Sequence, residues 1–167
     1  MPWPGAAEDL ASVFGFKFSN GFVFDTVSWG PDYFNLKERT LNKSIITMGR
    51  DSTESVEQIV SFTGQGFKIP HDATPILIFD ENYVNMLPRT ARGIFEDETT
   101  KFNAEGLSQG AYKKYGKGKI VTFGEAAMFT AQISGPKNKK MGMNNEVAPE
   151  NYQLLLNIIH WLDGKLE

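Results

Sequence analysis

Cysteine is absent from all 167 residues, which at once excludes a disulfide framework, a thiolate metal site and a cysteine nucleophile. Histidine is nearly absent: there are two, His71 and His160. His71 follows Pro70 in a turn-like stretch, and its nearest acid, Asp72, is too close in sequence to orient it. His160 stands beside Trp161 in a helical pattern that suits packing or an interface. No spacing of His, Asp or Glu suggests zinc, so neither a metal nor another cofactor is expected. A basic excess is also lacking. With 17 Lys and Arg against 20 Asp and Glu the net charge is -3, without the basic face that nucleic-acid binding requires. The one basic cluster, "KNKK" at Lys137 to Lys140, lies among Gly and Pro and reads as a solvated loop. No apolar run approaches the ~20 residues of a membrane span and no signal-peptide pattern opens the chain. Membrane insertion is therefore not expected, and the compartment stays open.

What is present is an ordinary globular composition, 41% hydrophobic and 22% charged, in a length that can bury a core without staples. Thirteen phenylalanines with Trp3, Trp29 and Trp161 predict a bulky aromatic interior. The opening "MPWPGAAEDLASVFGF" predicts a helix from near Pro4, with Ala7, Leu10, Ala11 and Phe14 on one face and Gly15 ending it. "FKFSNGFVFD" predicts a hairpin around Asn20-Gly21, or one strand followed by a loop. Thr26 to Lys43 reads as a long loop, and "SIITMGRD" as a short strand. Strand character returns at Ile59, Val60 and Phe62 (with a short helix as the alternative) and at Phe67 to Ile69. "TPILIF" is the clearest buried strand. Residues 89–106 carry charge and little pattern. Ala111 to Tyr115 and Lys119 to Phe123 form an antiparallel pair across "GKG". "ISGPKNKKMGMNNE" reads as loop. "APENYQLLLNIIHWLDGKLE" predicts the longest helix, with Pro149 in its first turn, Leu155, Ile158, Ile159 and Leu162 on its apolar face and Gly164 as its cap. No repeat or linker divides the chain, so residues 1–167 read as one α/β domain.

Taken together, "GKGKIVTFGEAAMFTAQ", "MGMN", "NYQLLLNIIHWLDG", "PGAAEDLASVFGFKFSNGF" and "SVEQIVSFTGQGF" resemble a known group. They are similar to the C-terminal part of an uncharacterised bacterial branch, related to the DUF4350 group, of the class I glutamine amidotransferase-like superfamily. That resemblance implies a flavodoxin-like layered sheet with flanking helices. It also implies that strands normally preceding the first helix are missing, as in an N-terminally truncated version. Enzymes of the superfamily use a cysteine nucleophile with a histidine and an acid. This chain has no cysteine, so that chemistry is excluded here and the resemblance points to a binding or accessory domain.

The candidate site residues are polar groups at the ends of predicted strands. Glu125 follows Gly124 after "KIVTF". At the carboxyl end of a central strand it would face a ligand, accept hydrogen bonds from a sugar or amine, or act as a general base. The plainer reading is that it orders the "AAMFTAQ" segment. Arg50 and Asp51 follow the "IITM" stretch. Arg50 has the planar fork that clamps carboxylate or phosphate. The plainer reading is a loop salt bridge plus a helix N-cap, since Asp51 with Glu54 resembles a capping box provided the following segment is helical. Thr130, Gln132, Asn144 and Asn145, near Met141 and Met143, suit a pocket for a neutral polar ligand or simply pin a loop. Thr63 and Gln65 lie in the "FTGQGF" turn. Three functions are carried forward. The first is a non-catalytic small-molecule-binding or accessory domain with Arg50, Asp51, Thr63, Glu125, Thr130 and Asn144 at its site. The second is a cysteine-independent hydrolase using Glu125 as base. The third is a protein–protein interaction module. Missing strands would also leave a sheet edge for a second copy or a partner chain to cover.

Overall fold

The computed structural model describes residues 8–28, 30–89 and 94–167. Trp3, Trp29 and the expected helix start at Pro4 with Ala7 lie outside them. In chain order, helix α1 (Glu8–Val13) leads to strands β1 (Lys17–Phe18), β2 (Phe22–Asp25) and β3 (Asp32–Asn35). Helix α2 (Ile45–Met48) precedes β4 (Gln58–Ser61), β5 (Phe67–Lys68), β6 (Thr74–Ile78) and β7 (Tyr83–Leu87). Strands β8 (Thr100–Asn103), β9 (Ser108–Tyr115) and β10 (Gly118–Phe123) run into a 3-10 turn at Ala127–Phe129. A hairpin of β11 (Ala131–Ser134) and β12 (Lys139–Gly142), then helix α3 (Asn151–Leu162), complete the order.

The result is a strand-rich α/β protein. Every described ladder is antiparallel. This departs from the parallel sheet that a flavodoxin-like fold would supply. The reason is connectivity: tight hairpins such as Gly116-Lys117 join neighbours directly, whereas parallel neighbours need long crossovers. The largest sheet is built on β9. Strand β6 takes one edge, pairing Thr74 with Tyr112 and Ile78 with Ser108. The opposite edge is shared. There β10 pairs from Gly118–Tyr115 as far as Phe123–Gly110, and β5 then takes over at Phe67–Ser108. Adjacent β9 residues face opposite sides. Ala111 packs with Ala11, Phe16 and Phe67 beneath α1, while Tyr112 packs against the larger cluster that holds Ile76, Leu77, Met128, Leu154 and Trp161 beneath α3.

Several expectations are overturned. The stretch from Thr26 to Lys43 is not one long loop, because Asp32 and Phe34 turn inward and Tyr33 outward as β3 pairs with β4. "SIITM" is a helical turn rather than a strand. Ser44 Oγ accepts the Thr47 amide and Thr47 Oγ1 accepts the Ser44 amide, a local box that outweighs the β-branched isoleucines. Residues 89–106 contain β8, which pairs with β7, and the lysine-rich "loop" is the β11–β12 hairpin. Strand β8, the edge of the three-stranded β2–β7–β8 sheet, and β11 of the hairpin are exposed along their whole length, without the burial that would impose a hydrophobic pattern. Around Asn20-Gly21 neither alternative holds: residues on both sides form strands, but β1 and β2 belong to different sheets and do not pair as a hairpin. The final helix forms as expected but is rotated. Its buried residues are Asn151, Leu154, Asn157, Ile158 and Trp161, whereas Ile159 and Leu162 are nearly half exposed. Among the described residues no helix is long and apolar enough to cross a membrane.

Candidate functional site

Glu125 lies where β10 leaves the sheet. The Gly124 amide still donates to Gln109 O (2.8 Å), but the Gly124 carbonyl accepts from Gln65 N (3.0 Å) on the approach to β5. The two backbones cross so closely that a Cβ on Gly124 would collide with the Gln65 carbonyl oxygen. Only glycine permits that approach, and the crossing turns the next side chain into the interior. Glu125 is 6% exposed. Its Oε1 accepts the Phe62 amide (3.3 Å) and its Oε2 the Met128 amide (3.1 Å). The carboxyl therefore ties the β4–β5 connection to the 3-10 turn. Burial pushes it up to about 7, against the opposing pull of the Met128 and Phe62 amides, the Ser61 hydroxyl and the Thr63 amide. It exchanges a proton near neutrality instead of remaining a fixed anion.

Other buried polar groups gather around it. Gly64 separates Glu125 from Gln109: a Cβ there would meet Gln109 Nε2 and would sit 3.0 Å from Glu125 Cβ. Gln109 is wholly buried, yet neither end of its amide has a partner among the described residues, and Gln65 Nε2 likewise has none. Ser61 Oγ faces the carboxyl without closing a hydrogen bond of normal length. Across the β3–β4 ladder from Ser61 stands Asp32, 2% exposed, with Oδ1 unpartnered. Burial raises Asp32 to about 8; a backbone hydrogen bond at Asp25 opposes this, and the charges of Asp25 and Glu125 add to it. Buried polar atoms are nearly always satisfied in proteins. A cluster of this kind beside two carboxyls is the molecule's most unusual chemical feature. It can accept and donate hydrogen bonds, and it can hold or release a proton.

The remaining candidates are scattered. Arg50 is exposed and its guanidinium is taken by Glu54, four residues on, which holds the Glu54 carboxyl down at about 2. Asp51 accepts the Thr53 amide (2.8 Å) and hydroxyl (2.6 Å) in a local turn. No helix follows it, so the capping box proposed for Asp51 and Glu54 is not formed; the box lies at Ser44 and Thr47 instead. Thr63 is half-buried next to Glu125. Thr130 Oγ1 donates to Ala127 O (2.9 Å), and its carbonyl accepts the Met143 amide (2.7 Å), which brings the 144 region to the turn after Glu125. Asn144 Nδ2 donates to Gln132 O (3.2 Å) while its Oδ1 is buried without a partner. Thr63, Thr130 and Asn144 thus belong to segments adjoining Glu125, and Arg50 and Asp51 form a separate surface turn. Among the described residues no group of three or more His, Asp or Glu could hold a metal ion. Asp32 and Gln109 were missed: one sat in apparent loop, and the other lies just ahead of the expected hairpin, where no local pattern marks it. Comparison with protein-family models, curated proteins and solved structures finds no match to this chain.

Proposed function

We propose that the chain is a small-molecule-binding or accessory domain whose site is the buried polar cluster around Glu125, and that its ligand is small, polar and uncharged. The observation that carries this reading is Gln109, wholly buried with an amide that donates to and accepts from no described residue, beside an acid of near-neutral pKa. A polyol, sugar or primary amide could receive one hydrogen bond from Gln109 Nε2 and give others to Gln109 Oε1 and Glu125. The amidotransferase-like resemblance enters only as a reason to favour binding over catalysis, since the catalysts it implies need a cysteine. The proposal does not stand on flavodoxin-like layering, because the described ladders are antiparallel.

The test combines Gln109→Met with a thermal-shift screen of sugars, nucleotides, amino acids and divalent metals. A ligand at 100 times its Kd stabilises by about 2.7 kcal/mol, roughly 5–10 °C for this length. Gln109→Met keeps the side chain's length and removes both unpaired polar ends, so it should leave unliganded stability unchanged or raised while abolishing the ligand shift. No responding ligand, together with a destabilised Gln109→Met, would make the cluster a structural one. A second reading, a hydrolase with Glu125 as general base, is favoured by the carboxyl poised at about 7. Glu125→Gln separates the two: turnover lost with binding retained supports the hydrolase.

A further inference from the structure

The hairpin "KKYGKGK" carries a cation cluster on the far side of the sheet from α1. Lys114 on β9 and Lys119 on β10 are directly opposed, on the same face as Tyr112 and Val121. Like charges directly opposite each other destabilise a strand pair, so this placement needs a compensating reason. Lys119 has part of one: its Nζ donates to Trp161 O at the end of α3 (2.5 Å) and lies 5.1 Å from the Trp161 ring centre. Lys113, on the opposite face, is neutralised by Asp72 at 2.7 Å. Lys114 is exposed and makes no ion pair among the described residues.

These lysines border a cleft of about 500 Å³, within the range of small-molecule sites. Its apolar walls are Ile45 and the edge-to-face pair of Tyr112 and Trp161, whose ring centres are 4.9 Å apart. Of the two acids on its border, Asp72 is spent on Lys113, and Glu167 forms no ion pair with Lys114 or Lys119 among the described residues. We infer that this cleft binds a small organic anion with a flat apolar body, its charged end between Lys114 and Lys119 and its ring against Tyr112 and Ile45. The binding relieves the opposed lysines and covers the half-buried Tyr112 and Ile45 in one event. It is independent of the polar cluster around Glu125, and the ligand chemistry is opposite.

The test uses a matched pair, 2-naphthoate and neutral 2-naphthamide, with inorganic phosphate as a charge-only probe. Binding is followed by amide chemical-shift changes and calorimetry on the full chain. Naphthoate should shift amides in residues 112–119 and 161–166 and bind at least tenfold more tightly than naphthamide or phosphate. Lys114→Met keeps the side-chain stem and removes the charge. It should weaken naphthoate fivefold or more without lowering the melting temperature, since no described ion pair is lost. Equal binding of naphthamide would overturn the anionic half of the inference. Phosphate binding as tightly as naphthoate would overturn the flat-body half. Shifts centred elsewhere, or an unchanged affinity in Lys114→Met, would overturn the site.

Discussion

Replacing Asn151 with leucine should cost this protein about 3–5 kcal/mol, although the change keeps size and adds hydrophobicity. Asn151 opens α3 and is wholly buried. Its Oδ1 accepts Val60 N (3.0 Å), and its Nδ2 donates to Val60 O (2.7 Å) and Met128 O (3.0 Å). Strand β4 has β3 along one edge, and the amide of Asn151 completes the other edge as a neighbouring strand would. Leucine removes three hydrogen bonds and strands two carbonyls and one N–H in the core. At about 1–1.5 kcal/mol per lost bond, with the penalty for orphaned groups at the low end, the sum falls in the stated range. For a chain of this length that is a fall of roughly 6–20 °C in Tm. Urea unfolding followed by two spectroscopic probes measures it directly. Met128 also donates to Glu125, so the same variant should disturb the polar cluster. Gln153→Ala is the comparison, since it removes only one half-buried contact to Asn157 on the same helix. A loss below about 1 kcal/mol for Asn151→Leu would refute the claim that this amide substitutes for a strand.

Two further expectations follow from the crossing and the acids within it. Glu125 and Asp32 have folded-state values of about 7 and 8 against ordinary values of 4.5 and 3.8. The folded state therefore holds protons that the unfolded chain releases. Their stabilising contribution is complete below about pH 4, declines as pH rises through 7 and 8, and then levels off. Glu125→Gln should remove the part of the decline that ends near 7, and Asp32→Asn the part that continues to 8. Urea midpoints between pH 4.5 and 9 check this, and slopes identical to wild type in both variants would count against it. Gly124→Ala should destabilise by about 3 kcal/mol or more, because its methyl collides with the Gln65 backbone carbonyl and not with the end of a flexible side chain. Gly116→Ala, at φ 57° with open space around it, should cost only about 1 kcal/mol in the same denaturation assay.

The hairpin across "GKG", the buried "TPILI" strand and the last helix were all legible in the sequence, because each is encoded by neighbours in the chain. The rotation of α3 was not. A hydrophobic stripe drawn through Leu155, Ile158, Ile159 and Leu162 treats asparagine as outward-facing. Here Asn151 and Asn157 occupy the buried stripe with Leu154, Ile158 and Trp161. Asn157 Nδ2 reaches Ile46 O (2.8 Å) and Glu54 O (2.9 Å), so both asparagines face backbone groups that lack a strand or helix partner of their own. Polarity in this helix marks what lies opposite it, and that depends on partners some 90 to 110 residues away in sequence.

The same distance explains the site. Glu125 stood out because a strand, a glycine and an acid are adjacent in sequence, and the structure gives that adjacency a cause in the crossing of Gly124 over Gln65. Its neighbours carry no such mark. Asp32 reaches the cluster through the β3–β4 ladder, and Gln109 through the strand edge that β10 yields to β5. Arg50 shows the converse, a conspicuous side chain whose charge is satisfied within its own turn. Local pattern thus located the acid, but not the unpaired amide that makes its surroundings a candidate for binding. If the cluster is a site, substitutions at Asp32 and Gln109 should alter ligand affinity while Arg50→Ala leaves it unchanged.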